Sequence, residues 1–172
     1  MALVTLGQRP GNMGCIAYLS TANVAVGDTD VETEQLGTAG ISLANTLAAG
    51  GIIRATLFGK ISTLTGTVGA FTVKAYLGGK EIISQDLAPV QTLSGQAFKL
   101  ELMILVRTAT TAIGFLSCQS EAATLKDVVQ ETEVAALALG AGSAFSVTFT
   151  WETADVANTV TVETGVVELL QP

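Results

Sequence analysis

Histidine is absent from this chain of 172 residues, and with it goes the commonest metal ligand and physiological general base of proteins. The Ser–His and Cys–His pairs of ordinary hydrolases are therefore excluded. Phosphate-binding loops are also missing, because the glycines of Gly66–Gly69 and Gly140–Gly142 lack the lysine or helix start that such loops need. The sequence indicates a protein that is not an enzyme and needs no cofactor.

Charged residues are scarce, at 13%, and the 15 acidic against 8 basic side chains leave a net charge of −7. An acidic chain has little means of neutralising phosphates, so we expect no nucleic-acid partner. Apolar residues make up 49% of the chain and the mean hydropathy is +0.54, which is high for a monomer that must cover itself with polar side chains. We expect some of the apolar surface to meet a protein partner.

Long apolar runs are lacking too. The longest unbroken one is Val134–Leu139, far short of the roughly 20 residues that a membrane-spanning helix needs. The opening residues MALVTLGQRP carry neither a basic leader nor a sustained apolar segment, so we expect no secretory signal. The sequence predicts a soluble protein with no membrane partner.

Cysteine occurs twice, as Cys15 and Cys118, which is too few for a disulfide framework. A single pair would require Cα atoms within about 7 Å, and the sequence leaves this open. Two buried free thiols are the default expectation. Cys118 shares a strand face with Gly114 and Leu116, which favours packing over a reactive thiolate.

Alternation of apolar and polar residues, the two-residue repeat of strands, runs through most of the chain. Its clearest instance is a hairpin in which Gly78-Gly79 joins Phe71–Leu77 to Lys80–Leu87. The segment 153–157 is predicted to be the loop of a last hairpin-like corner, and 108–112 another connecting loop. Thr124–Gln130 is open between a helical turn and a loop, and Glu133–Leu139 is a candidate edge strand. The remaining predicted strands are Met13–Val26, Val31–Ile41, Gly51–Ser62, Ala97–Arg107, Ile113–Ser120, Ala144–Trp151 and Asn158–Leu170.

Eight or nine strands with long connections as well as hairpins predict an all-β fold. We expect a two-sheet antiparallel sandwich of jelly-roll topology over residues 13–172. An immunoglobulin-like sandwich is the alternative, but Trp151 follows both cysteines instead of lying between them. Residues 1–12 are predicted to form a short extended arm, because the breaker cluster Gly7–Asn12 separates them from the first strand. A frayed terminus, an extra strand and a segment that docks on a neighbouring subunit all remain open for it.

The acidic residues cluster once, at alternate positions of one segment, as Asp28, Asp30, Glu32 and Glu34. Four carboxylates on one side of an extended chain could hold Ca²⁺, which takes oxygen ligands. The calcium-loop pattern requires a glycine where Thr33 stands, however. A solvated edge face whose like charges discourage aggregation is favoured, and calcium binding stays open.

Basic residues fall on outward positions of the predicted strands, as Arg54, Lys74, Lys99 and Arg107. Exposed cross-strand ion pairs are the favoured interpretation over a ligand site. A sugar-cleaving cleft is not favoured either, because aromatic residues make up only 5% of the chain and Trp151 and Tyr76 are its main stacking candidates.

Four segments carry a resemblance to a known group of proteins. They are NTLAAGGIIRATLFGKIST (45–63), FTVKAYLGGKEI (71–82), FKLELMILVRT (98–108) and VTFTWETADVANTVTVETGVVEL (147–169). Over residues 38–170 the chain resembles small jelly-roll proteins encoded among the structural genes of tailed bacteriophages, of the capsid decoration (cement) or tail-fibre head type. The most telling piece is the terminal pattern of a tryptophan strand, a short Ala/Asn loop and a closing strand ending in VEL.

The resemblance implies a non-enzymatic virion protein, a homotrimer assembled in the host cytoplasm and placed on the capsid exterior. Its partners would be further copies of itself and the major capsid protein, which it would hold together as cement. The arm residues Leu3, Val4, Leu6, Arg9 and Pro10 would contact the capsid or a neighbouring trimer. The half-apolar outward positions Tyr76, Met103 and Leu105 would supply the subunit interface. The alternative is a tail-fibre or tail-associated component that takes part in binding the host receptor.

Overall fold

Twelve strands account for all the regular structure of the described residues. The computed structural model describes residues 15–20, 24–27, 30–36, 40–42, 47–63, 71–87, 92–121, 124–139 and 143–170. Eight of the strands have seven or more residues, and the other four are shorter. They are β1 (Cys15–Ser20), β2 (Val24–Gly27), β3 (Thr33–Glu34), β4 (Ile41–Ser42), β5 (Ile52–Ser62), β6 (Phe71–Leu77), β7 (Lys80–Leu87), β8 (Gln96–Thr108), β9 (Thr111–Ser120), β10 (Thr124–Gln130), β11 (Ala144–Trp151) and β12 (Thr159–Leu170).

The strands form two antiparallel sheets. Sheet A has the order β1-β12-β5-β8-β9-β10, with β2 also paired to β12. Sheet B has the order β3-β11-β6-β7, with β4 also paired to β11. Strands distant in sequence pair in nested fashion, β5 with β12 in one sheet and β6 with β11 in the other, so the chain wraps back along itself as in a jelly roll. The predicted all-β sandwich is confirmed.

The core lies between the sheets and is built from the inward positions that alternation predicted. Ile53, Ala55, Leu57 and Ile61 of β5 are buried, as are the alternate residues from Phe98 to Val106 in β8. From sheet B, Trp151 lies 4.9 Å from Phe71 between ring centroids, and Phe71 meets Phe149 edge-on at 5.0 Å. The indole Nε1 of Trp151 donates to the carbonyl of Val26 at 3.4 Å, so the buried ring keeps a partner for its one polar atom.

Close approach of the two sheets beside β7 requires a glycine in β9. A Cβ added to Gly114 would overlap the Ile83 side chain and come within 3.0 Å of the Ile82 carbonyl oxygen. Side chains of the β10 edge complete the contact: Glu131 accepts from Gln85 at 2.6 Å and Lys126 donates to the Asp86 carbonyl at 3.4 Å. The edges of β7 and β10 therefore meet along one side of the sandwich.

Several predicted segment boundaries are wrong. The described residues of Met13–Val26 form two strands, β1 and β2, and those of Val31–Ile41 form the two-residue β3 and the first residue of β4. Thr124–Gln130 is a strand, although alternation is weak there because β10 is an edge strand with Val128 exposed. Glu133–Leu139 makes only an isolated bridge through Val134. The connection between β8 and β9 is the two residues 109–110.

The segment 153–157 also differs from its prediction. It joins β11 of sheet B to β12 of sheet A, so it is a crossover between the sheets and not the loop of a hairpin. Asp155 shapes it by accepting hydrogen bonds from Ala157 N at its carboxylate and from Asn158 N at its carbonyl oxygen. Alternation in the two flanking strands is identical for a hairpin and a crossover, so the pattern had no means of separating them.

Candidate interaction surfaces

A polar cluster lies on the outer face of sheet B, centred on Glu32. Its Oε1 accepts a hydrogen bond from the Tyr76 hydroxyl at 2.7 Å and another from the Thr148 hydroxyl. The two donors come together because β6 and β11 pair, and Tyr76 and Thr148 both point outward near the middle of that pairing. Glu32 reaches them because it immediately precedes β3, which pairs with β11 on the other side.

The charges of this polar cluster are set by its hydrogen bonds. Partial burial alone would raise the pKa of Glu32, but the hydroxyls of Thr148 and Tyr76 and the nearby Lys74 ammonium outweigh it and hold that pKa below its ordinary value. Burial and the hydrogen bond to Glu32 raise the pKa of Tyr76 to about 12. At neutral pH the glutamate is therefore ionised and the tyrosine is protonated.

Lys74 completes the polar cluster from the centre of β6. Its Nζ lies 3.3 Å from Glu81 and 3.8 Å from Oε2 of Glu32. The hydrogen bond to Glu81 is the largest influence on Lys74 and raises its pKa. Every ionised group of the polar cluster thus faces an opposite charge or a hydroxyl, which suits a surface that fastens the segment before β3 to the sheet.

Glu34, two residues further on, has a different role. Its Oε1 accepts from the backbone N–H of Leu36 at 2.9 Å and of Val147 at 3.2 Å. Gln35 N donates in turn to the carbonyl of Val147 at 2.8 Å. The segment therefore covers the outer edge of β11 between β3 and β4. Burial is the main influence on Glu34 and raises its pKa despite these hydrogen bonds.

The predicted acidic face is thereby divided. Asp28 lies outside the described residues, Asp30 is exposed, and Glu32 and Glu34 are turned to donors of the protein. The solvated-edge interpretation is wrong for Glu34, which is half-buried because it satisfies the backbone of β11. Among residues placed by the structure, no three acidic or cysteine side chains gather as metal ligands would.

The outer face of sheet A is apolar at one end. In register across four strands, Leu170 of β12 lies opposite Ile52, Ile52 opposite Leu105, and Leu105 opposite Ile113. The next outward row places Met103 opposite Phe115. Five of these side chains are half-buried and Ile113 is buried without belonging to the core cluster. We call this set the sheet A patch: Ile52, Met103, Leu105, Ile113, Phe115 and Leu170.

Ion pairs border this patch and extend along the sheet. Lys99 lies 3.0 Å from Glu101, Arg107 lies 3.7 Å from Glu133, and a third pair at 2.8 Å joins Lys60 to Glu163. The predicted cross-strand ion pair is confirmed for Lys74, whose partner Glu81 lies in β7. Lys99 instead pairs within its own strand, and Arg107 pairs with a residue outside the strands. Arg54 differs, since no carboxylate of the described residues lies within ion-pair distance of it, although Glu168 is its register partner on β12.

The three residues predicted for the subunit interface do not share a face. Met103 and Leu105 lie in the sheet A patch, whereas Tyr76 lies on sheet B with its hydroxyl bound to Glu32. Sequence reasoning missed the other four members, although their outward positions follow from the same alternation that located Met103: Ile52, Ile113, Phe115 and Leu170. The arm residues Leu3, Val4, Leu6, Arg9 and Pro10 lie outside the described residues.

The remaining candidates for chemistry are buried. Cys118 is a free cysteine at 1% exposure, and burial raises the pKa of its thiol to about 12. Its packing role is confirmed, and the side chain of Cys15 is not described. Trp151 is fully buried, so it is not in a position to stack on a sugar.

No helix in the described part of the chain is long and apolar enough to span a bilayer.

Comparison with known proteins yields neighbours in fold only. No family model matches the chain, and no curated protein matches it in sequence. Among solved structures, a protein of unknown function from Shewanella oneidensis MR-1 aligns with TM-score 0.47 and 9% identity over 92% of this chain and 75% of that one. Peanut lectin in complex with a nine-residue peptide aligns with TM-score 0.45 and 7% identity over 93% and 99%.

Viral capsid proteins are also among these neighbours. The particle protein of infectious bursal virus T=1 particles aligns with TM-score 0.26 and 13% identity over 95% of this chain and 40% of that chain. The VP2 subviral particle of infectious bursal disease virus aligns with TM-score 0.24 and 14% identity. Lectin and viral capsid structures are thus both among the solved structures to which the chain is similar.

Proposed function

We propose that this chain is a non-enzymatic structural protein of a virion, and that it decorates the capsid of a tailed bacteriophage as a cement protein. The observation that carries the proposal is the sheet A patch: apolar side chains lie on the outside of a sandwich whose core is already filled from its inner faces. Such an outer surface suits a protein whose work is contact. The sequence resemblance to small jelly-roll virion proteins supports the same assignment.

The reactive groups support a non-enzymatic role by the positions they occupy. The Cys118 thiol is buried with a pKa raised to about 12, so it is no nucleophile at neutral pH. Glu32 is engaged by two hydroxyls and Glu34 by two backbone N–H groups. Each carboxylate thus has a structural task that a catalytic one would have to give up.

In the proposed assembly, copies of the chain form a homotrimer on the capsid exterior, and the trimer adds buried area across the junctions between major capsid protein subunits. Residues 1–12 make the contact with the capsid or with an adjacent trimer. Assembly takes place in the host cytoplasm, and neither nucleic acid nor membrane takes part.

The test is to image virions of the encoding phage with and without the gene for this chain. Difference density on the head lattice, together with heads that fall apart at lower temperature when the gene is deleted, is the expected result. Density at the tail tip would instead assign the chain to receptor binding, and particles without any difference would overturn the virion assignment. Adding the purified protein back to deleted heads should restore their thermal resistance.

A further inference from the structure

We propose that the outer face of sheet A, with the sheet A patch at one end of it, is the surface that a second copy of this chain covers. The inference deepens the proposed function by naming the face on which copies associate. It rests on three features of the described residues: the position of the apolar side chains, the distribution of charge, and the size of the face.

The apolar side chains are contiguous, which scattered surface residues are not. Cross-strand neighbours in a sheet have Cβ atoms about 5 Å apart, so the register Leu170–Ile52–Leu105–Ile113 makes one unbroken apolar row over four strands. Further along the same face, the ring of Phe58 is 42% exposed. Contiguous apolar side chains on the outside of a domain are typical of sites of association.

Charge selects the second copy as the occupant. The chain carries a net charge of −7, so two copies repel each other unless the surfaces they bring together are balanced. On the outer face of β5, β8, β9 and β12, four basic side chains (Arg54, Lys60, Lys99 and Arg107) stand with three acidic ones (Glu101, Glu163 and Glu168), and Glu133 pairs with Arg107 at the rim. Sheet B is acidic by contrast, with Lys74 and Lys80 outnumbered by Glu32, Glu34, Glu81 and Asp86.

Arg54 gives this face a polar contact to offer. It is exposed beside Met103 in the second row of the sheet A patch and has no ion pair with any described residue. Glu168 and Glu101 are exposed or half-exposed on the flanking strands of the same face. A face with an arginine that pairs with none of the described carboxylates, and with other carboxylates nearby, can exchange charge-assisted hydrogen bonds with an identical chain.

The size of the face fits a stable contact. The four strands have 11, 13, 10 and 12 residues. Strands about 4.8 Å apart with a rise of about 3.4 Å per residue make a face of roughly 19 by 34 Å, on the order of 650 Å² before corrugation. Specific interfaces bury about 800 Å² on each partner.

The test is the mass of the purified full-length chain by analytical ultracentrifugation across a concentration series. Leu105→Glu places a charge in the centre of the sheet A patch at a half-buried outward position, and Thr150→Glu places the same charge on the outer face of sheet B as a control. We expect the wild type and Thr150→Glu to associate alike, and Leu105→Glu to associate at least tenfold more weakly while melting cooperatively. Arg54→Ala removes a positive charge from this face without adding another, and it should weaken association by an amount that decreases as salt is added.

Two outcomes would overturn the inference. One is a wild-type chain that stays monomeric at about 100 μM, a concentration at which even a weak specific contact would form. The other is a Leu105→Glu chain that associates as tightly as the wild type. A variant lacking residues 2–12 tests whether the N-terminal segment makes the contact between copies instead. Loss of association in that variant, together with normal association of Leu105→Glu, would assign the contact to the N-terminal segment. Coating of phage heads is measured separately. Association through another face with normal coating would defeat this inference alone, and association through this face without coating would defeat the proposed function alone.

Discussion

The Tyr76 hydroxyl donates a 2.7 Å hydrogen bond to the Oε1 of Glu32, a residue 44 positions earlier in the chain. This bond fastens the segment before β3 to the centre of sheet B, and Thr148 and Lys74 reinforce it. Because Glu32 immediately precedes β3, its hydrogen bonds also stabilise the pairing of β3 with the edge of β11.

Tyr76→Phe is the smallest change that removes this bond. The ring stays and the hydroxyl goes, so Glu32 keeps only Thr148 and Lys74 as partners. We expect the free energy of unfolding to fall by about 1 kcal/mol, since a hydrogen bond to a charged group at a half-exposed site contributes little more than that. Urea denaturation followed by the fluorescence of Trp151, the single tryptophan, measures it.

The double variant Tyr76→Phe/Glu32→Ala is the control for Tyr76→Phe, because alanine leaves no acceptor for the hydroxyl. If the hydrogen bond is the cause, the two changes together cost less than the sum of their separate costs. Strict additivity would show that the pair does not interact in solution.

Glu32 and Glu34 should give opposite pH dependences of stability. The pKa of Glu32 is lowered from its ordinary value of 4.5, so its contribution is present above that pH and is lost as the pH falls through the folded-state pKa. The pKa of Glu34 is raised from the same value, so the fold is favoured by its protonated form and loses stability as the pH rises from 4.5 through the folded-state pKa.

Glutamine variants at the two positions make these contributions measurable. The stability of the wild type relative to Glu32→Gln should fall as the pH drops below 4.5, and its stability relative to Glu34→Gln should fall as the pH rises above 4.5. Thermal melts from about pH 3 to about pH 8 lie on both sides of an ordinary carboxyl pKa and cover both windows. Parallel pH profiles for the two variants would contradict the assignment.

Cys118 should be unreactive in the folded protein. The thiolate is the reacting form, and burial raises the pKa of this thiol to about 12, so thiolate is scarce at pH 8 and the sulfur is also out of reach. In a Cys15→Ser background, a chromogenic disulfide reagent should label less than about a tenth of the chains in native buffer and all of them in denaturant. Rapid native labelling would show that β9 opens or that Cys118 is not packed.

Alternation predicted the long central strands well and the edges poorly, for a physical reason. β5, β6, β8, β11 and β12 each bury one face against the core, so the two-residue repeat is written into their residues. β10 is an edge strand with Val128 exposed, and the residues of β3 are held beside β11 by the backbone of Gln35 and the carboxylate of Glu34. Little of the structure of these two strands is therefore encoded in hydropathy.

The candidate surfaces were predictable in part. Met103 and Leu105 are predicted because the outward positions of β8 are apolar in the sequence. The structure adds four residues to them through strand register: Ile52, Ile113, Phe115 and Leu170. Tyr76 was grouped with them because alternation shows that a residue faces outward but not which sheet it belongs to. Assignment to a sheet depends on pairing between strands far apart in the chain, such as β6 with β11.

Gly59 marks a place where that long-range pairing depends on one small residue. It lies in β5 opposite Val162, directly beside the register shift at which Glu163 of β12 has no register partner on β5. A Cβ on Gly59 would overlap the carbonyl oxygen of Thr161 and come within 2.8 Å of the Phe98 ring. The backbone of β12 would have to move away, and hydrogen bonds of the central ladder would lengthen with it.

Gly59→Ala should therefore lower the free energy of unfolding by at least about 2 kcal/mol, in the range of overpacked interiors. Gly79→Ala is the matched control: its φ of +75° disfavours alanine, but an added Cβ has no neighbour within 4 Å, so the expected cost is about 1 kcal/mol. Urea unfolding curves for both variants give the comparison. The β5–β12 ladder also places Ile52 beside Leu170, so Gly59→Ala should disturb the sheet A patch as well. If the Gly59→Ala chain proved as stable as the Gly79→Ala chain, the β12 bulge would be absent in solution.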